Sequence, residues 1–258
     1  MHMPSTEQAP QPKALQLMTL NIWGGKLLEP LLRFIDSHRA IDIFCLQEVY
    51  SQTHQHLALD PNNPLCLDLF ERIAELLPNH RAFFRPIVEG VYGLSTFIQK
   101  DYPVLAEESH WIYENKHYSG HGPSHSRIMQ WIKISLDWQD LSIINVHGLW
   151  DSKGKMDTPQ RILQSHTIKN FAESLNTPTI LCGDFNLSPG TKSVEILANK
   201  MRNLIKVYHV TSTRSDIYKK PERFADYIFM SEDLQVLDFK VFEDSVSDHL
   251  PLYVKFAQ

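Results

Sequence analysis

The sequence predicts an α/β protein in which two β-sheets pack against each other with helices outside. The 258 residues hold many short apolar runs typical of strands, but only three or four segments with helical periodicity. A composition of 43% hydrophobic and 21% charged residues is that of a chain that buries a full core. Because no linker divides the chain, we expect one domain over residues 15–258, after a flexible N-terminal tail at residues 1–14.

The first half of the chain alternates strand-like and helix-like segments. Residues 14–20 and 41–47 are apolar runs that predict buried strands. Between them, residues 27–37 place leucines and an isoleucine on one helical face, with proline tolerated in the first turn. Residues 65–77 predict a second helix, which Pro78 ends. Further strands are predicted near residues 82–85, 94–99, 127–136 and 141–146.

The second half begins with a well-marked helix. Thr158 is suited to cap its N-terminus, and Pro159 fits the first helical position. Its predicted inner face comprises Ile162, Ser165, Ile168, Phe171, Ala172 and Leu175. A short helix is predicted near residues 192–199, and strands near residues 178–182, 207–212, 225–230, 234–242 and 252–256.

The bulk properties restrict the partners and the compartment. A net charge of −5 disfavours tight binding to duplex nucleic acid through phosphates, although a local basic patch remains compatible with it. The three cysteines cannot all pair, and we expect reduced thiols and a cytoplasmic location. No run reaches the roughly 18 apolar residues that span a bilayer. Nothing in the sequence indicates an oligomer, so a monomer is the default expectation.

Polar residues with metal-binding or proton-transfer chemistry lie at one end or the other of six strand-like runs. Carboxylates and amides at strand ends gather at one rim of a sheet, where oxygen ligands without a cysteine cluster suit Mg²⁺, with Mn²⁺ as a substitute. Glu48 is the strongest single metal candidate, since a charge at the end of a buried strand needs a partner. The set is Asn21, Glu48, Asn145, His147, Asp184, Asn186, Asp226, Asp248 and His249.

Two of these segments have a specific local pattern. In Gly183-Asp-Phe-Asn186, alternate residues of an extended segment point the same way, so Asp184 and Asn186 converge; an Asx turn before a helix is the alternative. Ser247-Asp-His249 together with Asp226 offers a base, since a carboxylate near a histidine orients the ring and raises its pKa; a structural contact in a loop is the alternative. His147 adds a second histidine suited to phosphate oxygens.

Candidate substrate contacts surround these residues. Trp150, Lys153 and Lys155 occupy a loop just after His147, and Arg161 begins the following helix. Tryptophan can stack on a base and lysine can hold phosphate, whereas a solvated loop is the competing interpretation. Arg214 is a further candidate, and Asn145 accompanies His147. A zinc site is disfavoured, because glycine and proline interrupt the segment that holds the candidate ligands His110, His117, His121 and His125.

Six segments together resemble the endonuclease/exonuclease/phosphatase superfamily, to which DNase I belongs. They occur in the family's order over residues 15–257: Thr19-Leu-Asn21, Leu46-Gln-Glu48-Val, Asn145-Val-His147, Gly183-Asp-Phe-Asn186, Asp226-Tyr-Ile-Phe and Ser247-Asp-His249. The resemblance implies a four-layer α/β sandwich and Mg²⁺-dependent hydrolysis of a phosphate ester.

The resemblance also implies roles for individual residues. Glu48 would be the principal metal ligand, with Asn21 and Asp248 nearby. Asp184 and Asn186 would orient water and stabilise the transition state, and His147 would contact phosphate oxygens. Asp226 and His249 would form the carboxylate–histidine pair. Whether Asp184 or His249 takes the proton from water stays open.

The substrate is the least determined feature. We expect a phosphodiester in nucleic acid, with a small or lipid-linked phosphate, such as an inositol phosphate or a sphingomyelin-like head group, as the alternative. The departure from the tyrosine-bearing segment of abasic-site endonucleases at Asn145-Val-His147 disfavours that activity. A binding module without catalysis is the remaining alternative, and it is disfavoured because all six segments keep their reactive residues.

Overall fold

A computed structural model describes residues 14–51, 65–118 and 124–258 of the chain. In these ranges the strands are β1 (Leu15–Asn21), β2 (Ile43–Tyr50), β3 (His80–Val88), β4 (Tyr92–Gln99), β5 (Val104–Tyr113), β6 (Arg127–Ser135), β7 (Asp140–His147), β8 (Thr179–Asp184), β9 (Met201–Asn203), β10 (Asp226–Ser231), β11 (Gln235–Val241) and β12 (Leu252–Ala257). The α-helices are α1 (Leu28–Ser37), α2 (Leu69–Leu76), α3 (Pro159–Ser174), α4 (Lys192–Leu197) and α5 (Leu204–Val207).

The strands form two six-stranded mixed sheets, which confirms the predicted sandwich. The first sheet has the order β11-β12-β1-β2-β4-β3, and the second has the order β5-β6-β7-β8-β10-β9. Each sheet has one parallel pair at its centre, β1 with β2 and β7 with β8, between antiparallel neighbours. Since parallel strands end at the same edge, each sheet directs two strand ends to one rim.

Two apolar clusters hold the layers together. One lies between the sheets and continues beneath α3, and it contains Leu17, Cys45, Ile143 and Leu181. The other packs α1 and α2 against the outer face of the first sheet. Because both faces of the central strands are covered, β1 and β2 are almost continuously apolar rather than alternating.

Several parts of the predicted secondary structure were wrong, including the short strand β9, which was missed. Strand β5 was missed, because this edge strand carries Glu-Glu-Ser-His at its centre and lacks a continuous apolar pattern. Residues 207–212 do not form a strand; the chain instead forms α5, where the Asn203 side chain accepts from the Lys206 amide. Helix α2 begins at Leu69 rather than residue 65, and the Cys66 amide donates to the Gly24 carbonyl.

The inner face of α3 also differs from the hydropathy pattern. Arg161 and Gln164 are buried, whereas Leu163 is exposed. Thr158 caps the helix as predicted, since its side chain accepts from the Arg161 amide. The three cysteines are buried free thiols. Among the described helices, none has the length and apolarity that crossing a bilayer would require.

Candidate active site

The ends of the two central strand pairs lie side by side, and the amide of Asn21 joins them. Asn21 ends β1, and its Nδ2 donates to Glu48 Oε1 and to Asp184 Oδ2, both at 3.0 Å. Its Oδ1 accepts from the Trp23 amide at 3.0 Å. Because Asn21 is fully buried and both ends of its amide are used, it sets the spacing between one carboxylate of each sheet.

Glu48 is directed into this region by an irregularity in β2. The register between β2 and β4 shifts between Leu46 and Val49, and Glu48 has a φ of 59°. A bulge of this kind redirects a side chain, and positive φ in a non-glycine residue is a strain often found at functional sites. Burial raises the pKa of Glu48, and the negative charges of Asp248 and Asp184 raise it further, against the opposing hydrogen bond from Asn21.

Asp184 ends β8 and is buried. The preceding Gly183 has a φ of 131°, and a Cβ there would lie 2.1 Å from the Val146 carbonyl oxygen, so only glycine fits between β7 and β8. Burial alone would raise the pKa of Asp184, but the nearby cationic groups, His249 and Lys155 foremost, lower it well below its usual value. Asp184 is therefore a permanent anion.

Asp226 and His249 form the predicted carboxylate–histidine pair. His249 Nδ1 lies 2.8 and 2.9 Å from the two Asp226 carboxylate oxygens, and Thr213 Oγ1 donates to Asp226 Oδ2 at 2.9 Å. His249 Nε2 then faces Asp184 Oδ2 at 3.6 Å and Asp248 Oδ1 at 3.8 Å. Burial alone would lower the pKa of His249, but the charge of Asp226 prevails and raises it.

His147 ends β7 and approaches both carboxylates that Asn21 joins. Its Nε2 lies 3.7 Å from Asp184 Oδ2 and 3.8 Å from Glu48 Oε1. Burial, aided by the charge of Arg127, holds the pKa of His147 well below its ordinary value. The ring is therefore neutral, and a proton on Nε2 would face the two carboxylates.

Asn186 and Lys155 continue the site beyond Asp184. The backbone N–H of Asn186 donates to Asp184 Oδ1 at 2.8 Å, and φ at Asn186 is 56°. The segment therefore forms the Asx-type turn that was the alternative interpretation, while the side chains of Asp184 and Asn186 also converge. Lys155 Nζ donates to Asn186 Oδ1 at 2.5 Å, and Asn186 Nδ2 donates to the Gly148 carbonyl at 3.2 Å. Burial lowers the pKa of Lys155 to about 8.

These residues open onto a cleft of about 920 Å³. Of the predicted substrate contacts, Trp150, Lys155 and Arg214 line this cleft. Lys220 Nζ lies 5.8 Å from the Trp150 ring centroid, which adds a cation next to an aromatic surface. Arg214 Nη1 donates to Asp248 Oδ2 at 2.9 Å, and its guanidinium carbon lies 4.2 Å from the Tyr218 ring centroid.

Three other predicted contacts lie away from the cleft surface. Asn145 is fully buried between the sheets, where it accepts from Gln47 Nε2 at 2.7 Å and donates to the carbonyls of Leu46 and Ser95. Lys153 is an exposed residue of the loop. Arg161 is buried and donates to the carbonyls of Leu149 and Met156, so it holds the loop that carries Trp150 and Lys155.

Several cleft residues escaped the sequence analysis. Tyr50, Tyr92 and Tyr118 form an aromatic wall beside His147, and Arg127 lies buried among them. His125 lines the same wall. No local pattern marks the tyrosines, because their proximity arises from pairing and loops far apart in the chain. The described members of the disfavoured zinc quartet do not form a metal-binding group: His110 packs against Phe171, away from His125, and His121 lies outside the described residues.

The donor set fits a hard divalent cation. Ligand atoms of Asp184, Asp226 and His249 lie within 4.8 Å of one another, the arrangement of a possible metal-binding group. Within this group, the Asp226 oxygens already accept a hydrogen bond from His249. The nearby Glu48 carboxylate is not part of the group, and its pKa is raised partly by neighbouring negative charges. A cation beside Glu48, Asp184 and Asp248 would relieve that repulsion, and oxygen donors suit Mg²⁺ or Mn²⁺.

Comparison with known proteins agrees with this arrangement. Residues 18–249 match the model of the "Endonuclease/Exonuclease/phosphatase family". A family protein from Bacteroides thetaiotaomicron has a TM-score of 0.74 at 19% identity, covering 95% of this chain and 98% of that chain. A mannosyl-6-phosphatase from the same species has a TM-score of 0.72 at 18% identity, covering 95% and 100%.

A third solved structure is also similar to the chain. TDP2 from C. elegans has a TM-score of 0.71 at 15% identity, covering 95% of this chain and 75% of that chain. At these identities the structural similarity demonstrates the shared fold alone. No curated protein matches the chain.

Proposed function

Because the chain belongs to the endonuclease/exonuclease/phosphatase family, we propose that it is a Mg²⁺-dependent hydrolase of phosphate esters. The single observation that carries this proposal is the convergence on Asp184 Oδ2. Asn21 Nδ2 donates to this oxygen at 3.0 Å, and the Nε2 atoms of His249 and His147 lie at 3.6 and 3.7 Å. A buried anion surrounded in this way suits activation of water beside a phosphoryl group.

Water activation falls to Asp184 and His249. The pKa of Asp184 is lowered below its usual value, so its carboxylate is ionised near neutral pH and can orient a water by accepting its hydrogen. His249 is held by Asp226 with Nε2 toward the same region, so it can take or supply a proton at Nε2. Both groups face the region where water would attack phosphorus, so either can accept the proton that the water loses.

Neutral and cationic donors would hold the phosphoryl oxygens. His147 can donate from Nε2 to a nonbridging oxygen without adding a charge. Lys155 fixes the side chain of Asn186 and brings a positive charge into a largely buried position. Donors arranged before the reaction stabilise charge that develops in the transition state.

Glu48 and Asp248 would hold the metal. A bound Mg²⁺ would neutralise the phosphoryl oxygens and favour departure of the leaving oxygen. Asn21 is a further proposed ligand through Oδ1, which accepts one hydrogen bond from the Trp23 amide and keeps a second lone pair. Its Nδ2 also fixes Glu48 and Asp184.

The proposed substrate is a phosphodiester in nucleic acid, supported by the Trp150 surface with Lys220 beside it, which suits stacking next to a phosphate. A small phosphorylated molecule is the second candidate, because a cleft of about 920 Å³ lies within the size range of small-ligand sites. The solved mannosyl-6-phosphatase also supports this candidate. The free thiols support a reducing, cytoplasmic setting, and we propose a monomer.

The proposal is tested by hydrolysis with Mg²⁺ and then with EDTA. The panel is single-stranded and duplex DNA, RNA, an inositol polyphosphate, a hexose 6-phosphate, sphingomyelin and p-nitrophenyl phosphate. We expect turnover that EDTA and Asp184→Asn abolish, while Asp233→Asn on the exposed surface leaves it intact. Turnover that persists in Asp184→Asn would reject this site, and absence of turnover of every ester would favour a binding module.

A further inference from the structure

His125 occupies a position in the cleft that the proposed chemistry does not use. It is 6% exposed and lines the cleft. Its ring packs edge-on against Tyr92 and Tyr118, with centroids 5.3 and 6.0 Å apart, and against His147 at 6.5 Å. The His125 ring therefore lies next to the ring of His147, whose Nε2 faces the carboxylates of Glu48 and Asp184.

The protonation of His125 is set by its backbone contact. Nδ1 lies 2.7 Å from the Ser126 carbonyl oxygen, and a carbonyl only accepts, so Nδ1 carries the ring proton. Burial lowers the pKa of His125 to about 4, and the nearby Arg127 charge acts in the same direction. At neutral pH the ring is therefore neutral, and Nε2 is an acceptor. Among the described residues, none donates to it.

His125 Nε2 is an uncharged acceptor, which distinguishes it from the ionisable groups around it. Those groups are the carboxylates of the reacting centre, Glu48, Asp184 and Asp248, and the cations or donors suited to phosphate, Arg127, His147, Lys155 and Arg214. A phosphate dianion offers no hydrogen to Nε2, so His125 does not suit a phosphate oxygen. It suits a donor on another part of the substrate.

We propose that His125 Nε2 accepts a hydrogen bond from a hydroxyl group of the substrate next to the scissile phosphate, so that this site selects phosphate esters of hydroxyl-bearing alcohols. A sugar or polyol phosphate and the ribose of RNA offer this chemistry, whereas a plain alkyl ester and DNA lack it. The inference rests on the proposed phosphoesterase function.

Matched substrate pairs test this selection. Glycerol 3-phosphate and propyl phosphate differ by the hydroxyls, as do a ribonucleotide dinucleotide and its 2′-deoxy form, and the two pairs separate a small-molecule source from RNA. For at least one pair we expect kcat/KM to be about tenfold or more higher for the hydroxyl-bearing member, the scale of one buried hydrogen bond. The wild-type protein is used with Mg²⁺ throughout.

Variants of His125 separate recognition from packing. His125→Phe keeps the ring against Tyr92 and Tyr118 but removes the acceptor, and we expect it to lose the preference by slowing the hydroxyl-bearing substrate alone. Its rate on p-nitrophenyl phosphate should stay within about threefold of wild type. His125→Gln, which restores an acceptor oxygen, should recover part of the preference.

The outcomes distinguish this inference from the function on which it rests. The selection by His125 would be overturned by equal rates within both pairs, or by a preference that survives His125→Phe. In either case, hydrolysis of p-nitrophenyl phosphate would still uphold the phosphoesterase function. Failure of the wild-type protein to hydrolyse any ester would overturn the proposed function itself. Thermal unfolding of His125→Phe near the wild-type midpoint confirms that a changed ratio reflects recognition.

Discussion

The two sheets deliver equivalent strand ends to the site but supply different chemistry. The central pair of the first sheet ends in Asn21 and Glu48, and the central pair of the second ends in His147 and Asp184. On the second sheet the pKa values of both groups are lowered, which leaves Asp184 charged and His147 neutral. On the first sheet the pKa of Glu48 is raised.

This difference assigns separate tasks to the two sheets. Around Asp184, cationic and neutral donors already balance the negative charge, as a water-activating anion requires. Around Glu48, burial and two further carboxylates leave an unbalanced charge, which a divalent cation would balance. We therefore treat the first sheet as the metal side and the second sheet as the proton-transfer side.

The largest expected effect compares Asp184→Asn with Glu48→Gln. Each should lower kcat by about 10²-fold or more, as for other groups that stabilise a transition state electrostatically. The Glu48→Gln loss should be partly recovered at high Mg²⁺ or Mn²⁺, because the defect is in metal binding, whereas the Asp184→Asn loss should not. A metal titration of the initial rate measures this, and equal recovery of both variants would remove the distinction between the sheets.

The next effect concerns the polar contact that holds the sheets in register beneath the site. Asn145→Ala would leave the Gln47 amide and the carbonyls of Leu46 and Ser95 without their partner. We expect a loss of about 1–3 kcal/mol in the free energy of unfolding, the cost of unsatisfied buried groups. Urea denaturation measures it against exposed Asn170→Ala as control. A change equal to that of the control would contradict the structural role.

A smaller effect is expected from Lys155→Met, which keeps the length of the side chain but removes its charge. KM should rise about tenfold, since Asn186 Oδ1 loses the hydrogen bond from the charged Lys155 ammonium group. In the wild-type protein KM should also rise as the pH passes about 8, where Lys155 loses its proton, and the variant should lack that rise. Exposed Lys153→Met on the same loop is the control and should change neither quantity.

The smallest effect is a pH-dependent stability difference at the Asp226–His249 pair. The folded-state pKa of His249 is raised, so the pair stabilises the fold fully below the unfolded value near 6.5 and loses that contribution as the pH rises through the folded value. In EDTA, Asp226→Asn should therefore destabilise the protein more at pH 6 than at pH 9. Denaturant titrations at both pH values measure this, and an equal or larger difference at pH 9 would exclude a charged pair.

Residues with local signals were predictable from the sequence. A glycine before Asp184, a threonine–proline start to α3 and polar residues after apolar runs all reflect local rules, and the described chain brings Glu48, His147, Asp184, Asp226 and His249 together. Strand β5 and α5 were not predictable, since an edge strand tolerates polar residues and a side-chain cap can override a strand-like pattern.

The cleft wall and the buried polar residues depend on long-range packing. Arg161 reads as a surface residue of an amphipathic helix, yet its guanidinium is buried against loop carbonyls 5 and 12 positions away. Asn145 reads as a site residue because it shares a strand face with His147. It lies two positions further inside β7, however, where Gln47 and backbone carbonyls take up its amide group. His125 joins the wall only through the fold of its loop.

The most direct test of the central claim is a double-mutant cycle across the two sheets. Initial rates of p-nitrophenyl phosphate hydrolysis in saturating Mg²⁺ are compared for wild type, Glu48→Gln, Asp184→Asn and the double variant. Residues that act as one unit give grossly non-additive losses, so we predict a double variant within about threefold of the slower single variant. Losses that multiply would mean that the two carboxylates act independently, and would contradict a single site built from both sheets.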